Sequence, residues 1–273
     1  MSRKHGVARL ASGLRLVYEE EGAGMPVVLL HGYSDSHRSF DLLRPLLPRD
    51  WRVIAVTQRG HGASDKPESG YLIKDLAADV AALLDALEIE RAVLVGHSLG
   101  AAVALQTAAD YPDRVAGIVQ IAAFADFRSK PAIQELCALV ATFEDPIDPQ
   151  FVREFQESTL ALPLPGDFLD MVVRESLALP AVAWRGIAAG LLDADMAGAI
   201  SRCAAPALIV WGDQDAYCPN EDQLLLRDSL PAARLVRLRN VGHAAHWERP
   251  AEVAAHIVAF VAEVAEARAA AYA

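Results

Sequence analysis

A chain of 273 residues, 53% of them apolar, is long enough for one large domain with a substantial core and too apolar to be disordered. Its formal charge of −11 argues against nucleic acid or an anionic membrane as partner, and more weakly against polyanionic substrates. No long apolar run follows the basic start at Arg3 and Lys4, and no segment reads as a membrane span. Three widely spaced cysteines without a metal pattern, Cys137, Cys203 and Cys218, read as reduced thiols, so a cytoplasmic protein is expected.

Taken in order, Val7 to Leu10 and Leu14 to Glu20 alternate around Ser12-Gly13 and predict an antiparallel hairpin at a sheet edge. Pro26 to Leu30 is a continuous apolar run ending in His31-Gly32-Tyr33, which predicts a central strand and then a loop. Ser39 to Leu47 reads as a short helix, Trp51 to Val56 as the next strand, and Gln58 to Asp65 as a Gly-rich turn held by Arg59. From Ile73 to Leu87 the residues Leu76, Val80, Leu83, Leu84 and Leu87 fall at helical spacing, with Asp75, Asp79 and Asp85 expected in solvent.

A Val- and Leu-rich strand from Ala92 then breaks at Ser98 and continues as a helix from Leu99 to Ala109. Strands and helices therefore alternate, the pattern of a parallel sheet covered by helices. After a strand at Val115 to Ile121 the rhythm stops. Residues 127–195 show helical patches separated by Pro131, Pro146, Pro149, Pro163, Pro165 and Pro180, and read as a helical insertion over the sheet edge. The pattern resumes with strands at Ala207 to Trp211 and Arg234 to Leu238 and helices at Glu221 to Ser229 and Ala251 to Ala267, followed by an Ala-rich end expected to fray. The expected core is thus 1–126 and 196–273, with 127–195 as a cap.

Gly96-His97-Ser98-Leu99-Gly100 lies at the break. In so tight a strand-to-helix turn the serine backbone is strained, and Cβ atoms at the flanking positions would collide with neighbouring elements. The turn lifts the hydroxyl to a helix N-terminus, where amide groups favour developing negative charge. A serine hydroxyl needs a base, and among eight histidines His243, in the loop after a strand, is best placed. The base needs a carboxylate. Asp213 and Asp215 compete for that role, with Asp126 in reserve. Asp215 is favoured because it lies further along its loop, whereas a residue directly after Gly212 tends to bond its own turn. The backbone N–H groups of Tyr33 and Leu99 are the natural oxyanion donors. Candidates to touch substrate are His31, Tyr33, Phe124, Trp184 and His246. Of these His31, like His97, sits beside a strand end and reads more readily as packing, and His246 reads equally as holding its loop. His243 and His246 lack the helix and glutamate of a zinc protease motif, so no metal is expected.

Nearly the whole chain resembles the α/β-hydrolases, through His31-Gly32, Arg59-Gly60-His61-Gly62, Gly96-His97-Ser98-Leu99-Gly100, Trp211-Gly212-Asp213-Gln214-Asp215 and Gly242-His243, in that order. The resemblance implies an α/β fold with a mostly parallel eight-stranded sheet flanked by helices, a helical cap between strands six and seven, and a Ser98, Asp215 and His243 triad. Thr57 departs from it, since many relatives carry an acidic residue there. The expected activity is hydrolysis of a small, neutral, largely apolar carboxylic ester or lactone through an acyl-enzyme on Ser98, without a cofactor. Alternatives are C–C bond hydrolysis, a cofactor-free perhydrolase of the haloperoxidase type, and a ligand-sensing receptor with slow turnover. Cap residues Phe143, Phe151, Phe155, Phe168, Met171 and Trp184 are available to form an acyl pocket. The expected partner is a small molecule, and a homo-oligomer is compatible with the sequence.

Overall fold

A computed structural model describes residues 3–271, so Met1 and Ser2 and the last two residues of the tail expected to fray lie outside the described residues. Its strands are β1 (Lys4–Arg9), β2 (Arg15–Glu21), β3 (Pro26–Leu30), β4 (Arg52–Val56), β5 (Ala92–His97), β6 (Val115–Ile121), β7 (Ala207–Gly212) and β8 (Arg234–Leu238). They form one sheet in the order β1-β2-β4-β3-β5-β6-β7-β8. β1 and β2 make the expected antiparallel edge, and every pair from β4 to β8 is parallel.

The apolar runs become central strands because both of their faces are covered. Alternate residues divide between two cores. Val28, Leu30, Leu94 and Ile118 face α1 (Ile73–Ala86) and α2 (Leu99–Asp110), while Val27, Leu29, Val93 and Val119 face α10 (Pro250–Ala271), whose Ile257, Phe260 and Val261 fill the second core. Between β6 and β7 the chain is helical, with α3 (Pro131–Val140), α4 (Pro149–Ser158), α5 (Gly166–Leu177), α6 (Ala181–Asp193) and α7 (Met196–Arg202). α8 (Asn220–Ser229) and the short α9 (Ala245–Glu248) complete the set. Among the described residues no helix is long and apolar enough to cross a membrane.

Two local expectations fail for identifiable reasons. The helix expected over Ser39 to Leu47 is two short 3-10 turns, His37–Phe40 and Arg44–Leu46. Pro45 has no N–H for an α-helical bond and its ring crowds the preceding turn, so the chain restarts there. Asp79, expected in solvent, is buried. Its carboxylate takes a bidentate pair of hydrogen bonds from Arg59 Nε and Nη2, both at 2.5 Å. Burial raises the Asp79 carboxyl above its ordinary range and Arg59 opposes that rise. Arg59 also donates to the Gly70 carbonyl at 2.6 Å, so the Gly-rich turn is held by its arginine, as its composition implied.

Candidate active site

Ser98 stands between the last residue of β5 and the first of α2, with φ 52° and ψ −113°. A non-glycine residue in that region costs about 1–3 kcal/mol, which the surroundings must supply. They do so through the backbone: Ser98 N–H donates to Ile121 O at 2.9 Å, and its carbonyl accepts from Ala101 at 2.9 Å and Ala102 at 3.2 Å. Both glycines of the motif are required by contact. A Cβ on Gly96 would lie 2.1 Å from the Gly100 carbonyl oxygen, and one on Gly100 would lie 2.0 Å from that of Leu30.

His243 lies in the loop between β8 and α9, and its N–H donates to Thr159 O, just after α4, at 2.8 Å. Its Nδ1 is 2.9 and 3.0 Å from the two carboxylate oxygens of Asp215, whose side chain is fully buried. Asp215 is itself fixed, since its Oδ1 accepts the backbone N–H groups of Tyr217 at 2.8 Å and Cys218 at 3.0 Å. The competing acids are engaged elsewhere, Asp213 by the chain after β8 and Asp126 by its own turn. Asp213 accepts from Asn240 N–H at 2.7 Å, and Asp126 from the amides of Arg128 and Ser129. With Nδ1 occupied as the donor, Nε2 is the ring nitrogen left as acceptor.

Ser98 and His243 line one cavity with Tyr33 and Thr159. Phe124 and Phe127 from the segment after β6, Ile133 and Leu136 of α3, Phe155 of α4, Leu191 of α6 and Tyr217 make the rest of its wall, so among the described residues no carboxylate, lysine or arginine lines it. It is narrow, with about 30 Å³ for water-sized molecules. Ser98 Oγ and His243 Nε2 make no hydrogen bond among the described residues. A catalytic pair of this kind commonly tightens only when substrate enters. The amides of Tyr33 and Leu99 likewise donate to no protein acceptor among the described residues. A wider cleft of about 320 Å³ beside Arg3, Glu21 and Trp51 contains no serine or histidine.

Three of the residues expected to touch substrate are placed elsewhere. His31 uses both ring nitrogens, Nδ1–H donating to Gly32 O at 2.8 Å and Nε2 accepting Gln58 N–H at 3.0 Å, and so pins the end of β3 to the Gly-rich turn. Trp184 packs behind Tyr33, whose hydroxyl donates to the Trp184 carbonyl at 2.6 Å. His246 packs against His97 with ring centroids 4.4 Å apart and the rings tilted by 48°, it meets Ser39 Oγ at 3.0 Å, and burial pushes it down to about 3, so it is neutral. Phe143 and Phe151 join the Trp184 cluster, and Phe168 and Met171 pack with Trp247, so of the cap residues named from the sequence Phe155 alone reaches the cavity. Phe127, Ile133, Leu136, Thr159, Leu191 and Tyr217 were missed. Their one sequence signal is spacing: Ile133 and Leu136 share a face of α3 at i and i+3, and Tyr217 follows the acid by two positions.

Asp215, Cys218 and His243 bring an oxygen, a sulfur and a nitrogen within 4.8 Å of one another, a donor set that suits a soft divalent ion. Such an ion would have to displace the hydrogen bond between Asp215 and His243. Burial holds the Cys218 thiol well above its ordinary range, and its S–H donates to Ala122 O at 3.2 Å.

Residues 27–256 match the alpha/beta hydrolase family, a span that runs from β3 to α10 and takes in every element that carries the site. The chain belongs to the alpha/beta hydrolase family. Within it, this hydrolase is 29% identical to the AB hydrolase superfamily protein YisY of Bacillus subtilis, over 90% of this chain and 94% of that one. It is 41% identical to the 2-(acetamidomethylene)succinate hydrolase of Mesorhizobium japonicum over 44% of this chain and 42% of that protein. It superposes on a thermophilic esterase from Thermogutta terrifontis with a TM-score of 0.85 at 25% identity, covering 96% and 99% of the two chains.

Proposed function

We propose that this hydrolase cleaves a small, neutral, largely apolar carboxylic ester or lactone through an acyl-enzyme on Ser98. The observation that carries the reading is that the strained serine and the Asp215-anchored histidine wall the same uncharged, narrow cavity. In the first step His243 Nε2 takes the Ser98 proton as Oγ attacks the carbonyl carbon, and Asp215 stabilises the imidazolium. The amides of Tyr33 and Leu99 receive the oxyanion, the second at the N-terminus of α2. Collapse of the intermediate expels the alcohol with the proton from His243. Water activated by the same imidazole then attacks the acyl carbonyl, and the acid leaves with Ser98 restored.

The wall also distinguishes between relatives. A succinate derivative carries two carboxylates, and a cavity without a lysine or arginine offers them no partner, so burying either would cost several kcal/mol. We therefore read the likeness to a 2-(acetamidomethylene)succinate hydrolase as one of fold and not of a dianionic substrate. Size narrows the class further. Space for about one or two waters between Ser98 and the phenylalanine wall fits a short acyl group, while a long chain requires α3 and α6 to move apart.

A kcat/KM panel of p-nitrophenyl acetate, butyrate, octanoate and hemisuccinate, a γ-lactone and a vinylogous diketone tests this. Acetate and butyrate are expected to exceed octanoate by about 10-fold and hemisuccinate by about 100-fold, in line with the cost of burying an unpaired charge. Preference for the anionic ester, or turnover of the diketone alone, overturns the proposal.

A further inference from the structure

Beneath the Ser98 turn lies a buried polar cluster that the acyl-transfer steps do not use. Asp35, in the loop after β3, is 3% exposed. It accepts from Ser39 Oγ at 3.2 Å and from Gln156 Nε2 of the cap at 3.2 Å, and one of its oxygens is 3.9 Å from His97 Nδ1. His97, next to the nucleophile, donates its Nε2–H to the carbonyl of His243 at 3.2 Å. Its Nδ1 is therefore a bare lone pair, and it has no partner among the described residues. A lone pair and a carboxylate oxygen thus lie 3.9 Å apart, too far for a hydrogen bond between them. A single proton placed there turns this repulsion into a hydrogen bond once the gap closes by about 1 Å.

Gly32 ties the pair to the amide of Tyr33. A Cβ at Gly32 would lie 2.6 Å from His97 Nδ1 and 3.1 Å from the Asp35 carboxylate, so the segment leading to Tyr33 rests directly on both groups. Gln156 links the contact to α4 and α5, since the two hydrogens of its Nε2 are shared among Asp35, Ser34 Oγ at 3.1 Å and Ser176 Oγ at 2.9 Å.

We propose that Asp35 and His97 share one proton, carried as the neutral carboxylic acid and donated to His97 Nδ1, and that this pair is a positioning device. It holds the Tyr33 amide, the Ser98 turn and the His243 carbonyl in one arrangement. The inference rests on the serine hydrolase reading for its effect on rate, but not for the hydrogen bond itself. The groups facing Asp35 are His97 from β5, His246 from α9, His243 from its loop and Glu175 of α5, which borders the same cleft. Burial raises the Asp35 carboxyl to about 7, with the hydrogen bonds from Gln156 and Ser39 and the charge of His243 opposing the rise. Burial, then His246 and His243, holds His97 well below its ordinary range, which favours the neutral acid and neutral imidazole. The bridging proton is thus present below pH 7 and lost as pH rises through that value.

Two measurements on the full chain test the pair: kcat and KM for p-nitrophenyl acetate from pH 5.5 to 9, and the imidazole ¹⁵N resonance of His97, assigned by its loss in His97→Gln. Wild type is expected to lose kcat along an alkaline limb near pH 7. Asp35→Asn removes that limb, because its amide donates to His97 at every pH. Asp35→Ala lowers kcat by about 10- to 100-fold, the cost of a misplaced site, with KM changed less than about 3-fold. The His97 Nδ1 resonance keeps its hydrogen-bonded shift in Asp35→Asn and loses it in Asp35→Ala. An unchanged pH profile in Asp35→Asn, or one His97 shift in all three proteins, overturns the proposal. If Asp35→Ala does not fold, the Asn profile and shift decide alone. Should wild type hydrolyse no ester at all, the hydrolase reading fails while the nitrogen resonance still decides the pair.

Discussion

Ser98→Ala is expected to lower kcat for p-nitrophenyl acetate by about 10⁴- to 10⁶-fold with KM nearly unchanged, the behaviour of a residue whose interaction is made only in the transition state. No neighbouring group can take over. The thiol of Cys218 is buried against Ala122 O, and the Thr159 hydroxyl donates to Gln156 O at 2.7 Å. What survives is the background from binding and the oxyanion amides, about 10³-fold over water. The substitution leaves the turn intact, because Ser98 is held there by its backbone bonds to Ile121, Ala101 and Ala102. A thermal melt beside the kinetics separates lost chemistry from lost fold. Retention of more than about 1% of wild-type kcat with an unchanged melt contradicts the assignment.

Asp215→Asn is expected to cost about 10⁴-fold in kcat by setting a donor against His243 Nδ1 in place of the nearer of its two acceptors. The orientation of the new amide is fixed by its surroundings. Tyr217 and Cys218 N–H groups demand an acceptor at the Oδ1 position, at 2.8 and 3.0 Å, so the asparagine oxygen stays there and its NH₂ takes the Oδ2 position, 2.9 Å from His243 Nδ1. A donor at that point forces the imidazole to carry its proton on Nε2, where it faces the serine as a donor and cannot act as a base. The same substitution at Asp213, whose carboxylate is engaged by Asn240 and Arg237, is expected to change kcat by less than about 3-fold, within the range of a surface group. Equal losses at both positions would refute the choice of Asp215.

The parts of this hydrolase that were legible in the sequence are those where backbone geometry leaves few solutions. β3 and β6 begin and end where their apolar runs do, and β8 spans the segment expected for it. The Gly96 and Gly100 contacts, near 2 Å to backbone, leave no side chain an alternative. The reason for preferring Asp215 over Asp213 was not the one the structure shows: Asp213 bonds Arg237 of β8 and Asn240 beyond it, while Asp215 accepts the amides of its own turn and still reaches His243. The cavity wall was not legible, because orientation and not composition decides it. Phe124 and Phe127 line the cavity with Ser98 while Phe143 and Phe151, equally apolar, pack around Trp184. Nor were the buried charges. Asp79 has the helical position of a solvated residue and is buried because Arg59 reaches it from 20 positions away. Asp35 reads as a loop acid until His97 and Gln156 enclose it. Partners distant in sequence leave no local trace.

The central claim is that Ser98 is a nucleophile activated by His243. Intact-protein and peptide mass spectrometry after treatment with a small fluorophosphonate tests it most directly, because covalent capture needs the hydroxyl, the base and the oxyanion amides together. The account predicts one adduct per chain, located on Ser98, absent in Ser98→Ala and slowed by at least about 100-fold in His243→Ala. An unlabelled wild-type protein, or an adduct on any other residue, would contradict it.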